Sequence, residues 1–186
     1  MALIESHMIS LGTQAPDFTL PDTISGKDLS LGDVVGETAT VVMFLCNHCP
    51  YVQHLNAGIV ALRGDYADKG VGFVAISAND ATDYPQDGPD MMTQHAADVG
   101  YAFPYLYDAS QDVARAYGAS CTPDLFIFDG QKNLAYHGRF DTSRPENGEP
   151  VTGADFRLAL DALIAGDAIS STQYPSVGCS IKWKKS

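Results

Sequence analysis

Residues 38–45 read TATVVMFL, a continuous apolar and β-branched run. A strand of that kind has no polar face to offer water, so it belongs inside a sheet covered on both sides. Beyond it the pattern changes. Val52, Leu55, Ile59, Leu62 and Tyr66 recur at three- and four-residue steps, which places them on one face of a helix over 50–69. Pro50 suits the first turn, where a missing N–H costs nothing, and Gly70 ends the helix. A second buried run, VGFVAISA, follows at 71–78. Strand, helix and strand in that order make a βαβ unit with parallel strands, so the chain is an α/β protein.

The rest of the chain extends this unit. The spacing predicts a helix over 89–99, a short strand near 104–107 and a helix over 110–117. DLFIFD (124–129) and NLAYHGRF (133–140) read as strands joined by GQK in a hairpin, by length and by Gly130. Thr152 and Asp155 suggest a capping box for a last helix that carries Phe156, Leu160, Leu163 and Ile164 and ends at Gly166. Upstream, residues 12–35 hold a small hairpin and a helical turn. Residues 1–10 are an amino-terminal segment left out of the fold reading, residues 11–166 form one domain, and residues 167–186 are a tail that packs on it. At 186 residues the chain suits one sizeable core. Its net charge of −12 repels phosphates, so no nucleic acid is expected, and the basic KWKKS at the end is too short to reverse that. No apolar stretch is long enough for a membrane span, and MALIESHMIS lacks the regions of a signal peptide. The cytoplasm is therefore the expected compartment, where isolated thiols stay reduced.

The chemistry is concentrated in CNHCP, residues 46–50. The chain has four cysteines, one close pair and two singles, which is not a disulfide scaffold. The close pair stands where a buried strand hands over to a helix, and orphan N–H groups there favour an anion. Cys46 is then the thiolate nucleophile and Cys49, a turn later, the thiol that resolves a mixed disulfide. A protonated His48 would stabilise the Cys46 thiolate further. Two other uses stay open: half of a zinc site, although no second CxxC or H-x₃-H supplies the remaining ligands, and two small buried thiols serving only the core. Parallel strands end on one side, so the loop NDATDYPQDG after 71–78 should rim the same place, with Asn79 and Asp80 in reach. Arg139 favours a nearby thiolate or, more simply, pairs with Asp141. Met91 and Met92 read as core.

Pro123 precedes the strand 124–129 in SCTPDLFIFD. Strand, CNHC, helix, strand, helix, TP, hairpin and helix together resemble the thioredoxin fold. GTQAPDFTLPD, MFLCNHCPYVQH, CTPDLFIFD, HGRFDTSRP and GCSIKWK are similar to a peroxiredoxin-like branch of the alkyl hydroperoxide reductase/thiol-specific antioxidant (AhpC/TSA) redoxins, over about residues 10–186. The resemblance implies a central mixed sheet flanked by helices, with an amino-terminal hairpin extension and a carboxyl-terminal tail. It implies thiol–disulfide exchange with a protein disulfide or dithiol partner, no cofactor and no resident metal. It also implies that Thr122-Pro123 is cis and that the backbone of Thr122 pairs with the substrate chain. His48 precedes the second cysteine as in disulfide isomerases. Thiol peroxidase activity is the enzymatic alternative, with peroxide as substrate. However, if Cys49 were the peroxidatic thiol, the proline and threonine of P-x-x-x-T-x-x-C would fall on Val42 and Cys46. The buried acid of thioredoxins falls on Thr40. A metal-binding or carrier protein using Cys46, His48 and Cys49 is the alternative of another class. Cys121 and Cys179 are accessory thiols. Thirteen steps from Gly166 to Cys179 reach up to about 43 Å, while the last helix runs off for only about 18 Å. The tail can thus return and bring Cys179 beside Cys121.

Overall fold

The protein is described by a computed structural model over residues 3–185. The chain starts with a short strand, β1 (Leu3–Glu5), then a hairpin of β2 (Thr19–Pro21) and β3 (Asp28–Ser30) that leads into the single turn α1 (Leu31–Val34). The long apolar run becomes β4 (Ala39–Phe44), all six residues buried. Helix α2 (Pro50–Asp65) and strand β5 (Val71–Ser77) complete the βαβ unit. After a 3-10 turn at Pro85–Asp87 come α3 (Pro89–Val99), β6 (Tyr105–Tyr107) and α4 (Asp112–Ala116). The chain then adds β7 (Cys121–Thr122), β8 (Asp124–Asp129), β9 (Leu134–His137), α5 (Ala154–Ala165) and β10 (Val177–Ser180).

The main sheet has the order β6-β5-β4-β8-β9. Its β6, β5 and β4 run parallel, and β8 and β9 are antiparallel, so the sheet is mixed as expected. Alternation along β4 divides the core. Val41 and Met43 face α2, α3 and α5, while Val42 and Phe44 face the β2–β3 hairpin, α1 and α4. Burial on both faces explains the unbroken apolar run. No helix among the described residues is long and apolar enough to cross a membrane.

Four expectations need correction. Residues 1–10 are not outside the fold: β1 pairs antiparallel with β10, Leu3 opposite Cys179. Helix α2 stops at Asp65 and the chain reaches Gly70 through turns; Gly70 has a φ of +70°, the left-handed conformation that glycine adopts without cost. No capping box starts α5. Its cap is Gly153, and the Asp141 carboxylate takes the N–H groups of Thr152 (2.7 Å) and Gly153 (2.6 Å). Asp155 instead accepts from Arg139 Nε at 2.6 Å, so Arg139 pairs with Asp155 rather than Asp141 and stacks on Tyr174.

Candidate active site

Cys46 and Cys49 are both buried just after β4, but the helix begins later than expected. Cys49, not Cys46, is the residue just before α2, with Pro50 in the first turn. Thr122, in β7 just ahead of β8, meets both sulfurs. Its hydroxyl is 3.2 Å from Cys46 Sγ, and its carbonyl accepts from the Cys49 thiol at 3.1 Å. The Thr122-Pro123 bond is cis.

Below the pair lies a group that sequence reading missed. Asp87 is fully buried at the end of the 3-10 turn. It accepts the N–H groups of Asn47 (2.8 Å) and His48 (3.3 Å), the Asn79 amide (2.8 Å) and a short contact of 2.5 Å from His48 Nδ1. Thr40, the place of the thioredoxin acid, bonds instead to the Gly36 N–H. The carboxylate near the dithiol thus comes from the loop after β5. The expectation had reached that loop but stopped at Asn79 and Asp80. Asn79 orients Asp87 and also accepts the Lys182 N–H, whereas the Asp80 carboxylate closes its own turn through the Thr82 N–H. Asn47 is held by Tyr105, Gln86 and Gln53. The His48 ring lies flat against Tyr84, at 5.6 Å between centroids.

Hydrogen bonding couples the two sulfurs, and the dithiol titrates as a unit. The Cys46 thiol, the Cys179 thiol and the N–H groups of Val52 and Cys179 all favour a charge on Cys49, lowering its pKa from the ordinary 9.0 to about 4. Cys46 is raised, first by that hydrogen bond, then by burial and the Asp87 charge. Thr122 pulls the other way, because its carbonyl needs a proton on Cys49 and its hydroxyl can donate to a Cys46 thiolate. One early proton loss therefore belongs to the pair. The expected lowering at Cys46 alone is corrected: the helix end and its donors are closer to Cys49, and Asp87 faces Cys46.

The remaining cysteines separate. Cys179 Sγ is 3.0 Å from Cys49 Sγ. In the β10–β7 ladder Cys179 stands opposite Thr122, and Ser180 opposite Cys121. Neighbouring residues point to opposite faces, so Cys121 is turned away from Cys179. The tail thus returns as expected and pairs with the strand of Cys121, but the two side chains leave opposite faces of the ladder. Cys121 bonds to the Pro123 carbonyl at 3.4 Å, and burial raises its pKa. The same ladder occupies the Thr122 backbone that a substrate chain was expected to use. Met92 is core and Met91 exposed. Cys46, His48 and Asp87 place one ligand atom each within 4.8 Å of one another. That is three of the four donors a closed zinc site needs, and Cys49 is engaged elsewhere.

The family model of the AhpC/TSA family matches residues 11–137, about two thirds of the chain. The chain belongs to the AhpC/TSA family. The matched AhpC/TSA segment ends at the last residue of β9, so α5 and β10 with Cys179 lie beyond it. The chain is 27% identical over 119 residues to "Thiol-disulfide oxidoreductase ResA" of Halalkalibacterium halodurans, covering 63% of this chain and 62% of ResA, under two thirds of its length. A crystal structure of an "uncharacterized conserved protein" from Geobacillus kaustophilus is 53% identical, with a TM-score of 0.98 over 100% of this chain and 98% of that one. "Peroxidoxin BcpB" from Mycobacterium tuberculosis, 20% identical with a TM-score of 0.63 over 85% of this chain and 98% of that one, shares the thioredoxin-like fold. The AhpC/TSA chain thus has a thioredoxin-like fold.

Proposed function

We propose that this AhpC/TSA protein is a thiol–disulfide oxidoreductase working on disulfide or dithiol groups of partner proteins in the cytoplasm. The observation that carries this is Thr122 facing both sulfurs of a CxxC, its hydroxyl 3.2 Å from Cys46 Sγ and its carbonyl accepting from the Cys49 thiol. With the proton on Cys49, Cys46 is a thiolate that accepts from the Thr122 hydroxyl. Cys46 attacks a substrate disulfide, one substrate sulfur leaves with the electron pair, and a mixed disulfide forms. Cys49 then attacks Cys46, its proton passing to the second substrate sulfur, and the Cys46–Cys49 disulfide remains. Because β10 covers the strand edge of Thr122, the substrate approaches from the His48 side. A groove of about 240 Å³ lies there, lined by residues that include His48, Gln86, Met91 and His95. The missing proline and threonine of the peroxidatic pattern speak against peroxide as the main substrate.

The test is turnover of a peptide disulfide and of hydrogen peroxide by the purified protein and by Cys46→Ser, with bound metal counted beforehand. Disulfide turnover that exceeds peroxide turnover and is lost in Cys46→Ser supports the proposal. Peroxide turnover that survives in Cys46→Ser moves the chemistry to Cys49, and a stoichiometric metal ion moves it to the Cys46–His48–Asp87 group.

A further inference from the structure

Strand β10 lies on β7 where an exchanging partner chain would otherwise pair. The fit is close: a Cβ on Gly178 would lie 2.0 Å from the Thr122 carbonyl oxygen, so only glycine allows this approach. Residues opposed in a ladder share a face, and Cys179 opposite Thr122 therefore presents its sulfur to the dithiol. Its Sγ lies 3.0 Å from Cys49 Sγ, about 1 Å longer than a disulfide bond. Cys49 is thus within reach of two thiols, Cys46 in its own loop and Cys179 in the tail.

We propose that Cys179 is the third thiol of the redox site, an internal exchange partner that draws the disulfide inward and leaves Cys46 free. This rests on the dithiol chemistry proposed above. In the step, Cys179 Sγ attacks Cys49 Sγ of the Cys46–Cys49 disulfide. The Cys49–Cys179 bond forms as the Cys46–Cys49 bond breaks. Cys46 leaves with the electron pair and takes up the proton that Cys179 gives up. One disulfide and one thiol are present before and after, so no external oxidant or reductant enters.

The surroundings favour the step only after oxidation. In the reduced protein, burial and the neighbouring Cys49 push the Cys179 thiol up to about 12. Once Cys49 is in a disulfide, its charge is gone, while Lys182 still favours a thiolate on Cys179. The Thr122 hydroxyl, 3.2 Å from Cys46, stabilises the departing sulfur. The oxidised protein then holds its disulfide in the interior and shows a reduced Cys46 to the next substrate.

The experiment maps disulfides in the full chain after one equivalent of diamide, an acid quench, alkylation and digestion, read by mass spectrometry. The expected result is a Cys49–Cys179 link in molecules whose Cys46 carries the alkyl label, beside a Cys46–Cys49 link. The Cys46→Ser variant should close Cys49–Cys179 directly. Oxidised wild type with only the Cys46–Cys49 link, and label on Cys179, would overturn the inference and leave the oxidoreductase reading intact. Failure of both links to form would remove both. A Cys46→Ser protein that keeps Cys49 and Cys179 fully labelled after diamide would likewise count against the third thiol.

Discussion

Thr122 does two jobs with one residue, and substitution can separate them. Thr122→Val keeps the carbonyl and the shape but removes the hydroxyl that meets Cys46. A hydrogen bond to a charged group is worth about 1.5–3 kcal/mol, so the Cys46 thiolate should become harder to form by about 1–2 pKa units. The expected outcome is slower alkylation of Cys46 at pH 6, with the fold unchanged by circular dichroism; an unchanged rate would exclude the hydroxyl as the donor. The early proton loss of the Cys46–Cys49 pair gives a second prediction. Between about 4 and the ordinary 9.0 the unfolded chain binds a proton that the folded chain does not, so the pair's stabilisation grows as pH rises. It is complete above 9.0 and lost as pH falls through about 4. The Tm advantage of wild type over Cys49→Ser should therefore widen with pH across that window. A constant difference would place the pair's early proton loss elsewhere.

At the scale of elements, the decisive contact is β10 against β7. Gly178→Ala would put a methyl group into the Thr122 carbonyl, and overpacking of this kind costs about 1–3 kcal/mol. The expected outcome is a lower Tm together with faster alkylation of Cys179, because the strand must move outward. Thermal melts and labelling rates check both at once. β8 and β9 carry a further test. His137 and Asp124 are fully buried and pair at 2.8 Å, while His137 Nδ1 accepts the Ile9 N–H. His137→Phe would remove the ring N–H that Asp124 accepts, a loss of about 1.5–3 kcal/mol measurable by urea unfolding. These contacts also show why legibility stops where it does. Val41 to Phe44, the helix face from Val52 to Leu62 and the CxxC between them are local patterns, and they can be read along the chain. Asp87 and Cys179 reach the site only through tertiary register. Nothing in the order of residues says that the 3-10 turn points its carboxylate under Asn47, or that Cys179 rather than Ser180 faces Thr122. The start of α5 fails similarly, because Asp141, from another segment, replaces the local cap.

For the whole molecule, the chain divides into a thick five-stranded layer and a thin seam, β1-β10-β7, along its edge. Strands of two to four residues, of which only β10 is paired on both edges, should open more readily than the six-residue β4, which is paired on both sides and buried throughout. Hydrogen exchange should show amides of β1 and β10 exchanging well before those of β4 and β8, and equal protection would mean that the seam unfolds only with the core. The pairing of Leu3 with Cys179 has a practical consequence. β1 and β10 lie side by side within a few residues of the sulfurs, so a load carried by either strand pulls on the one that holds Cys179. The same closeness suits circular permutation. New ends opened in the exposed stretch 146–150, with β1 and β10 joined by a short flexible linker, would leave the seam covalently closed.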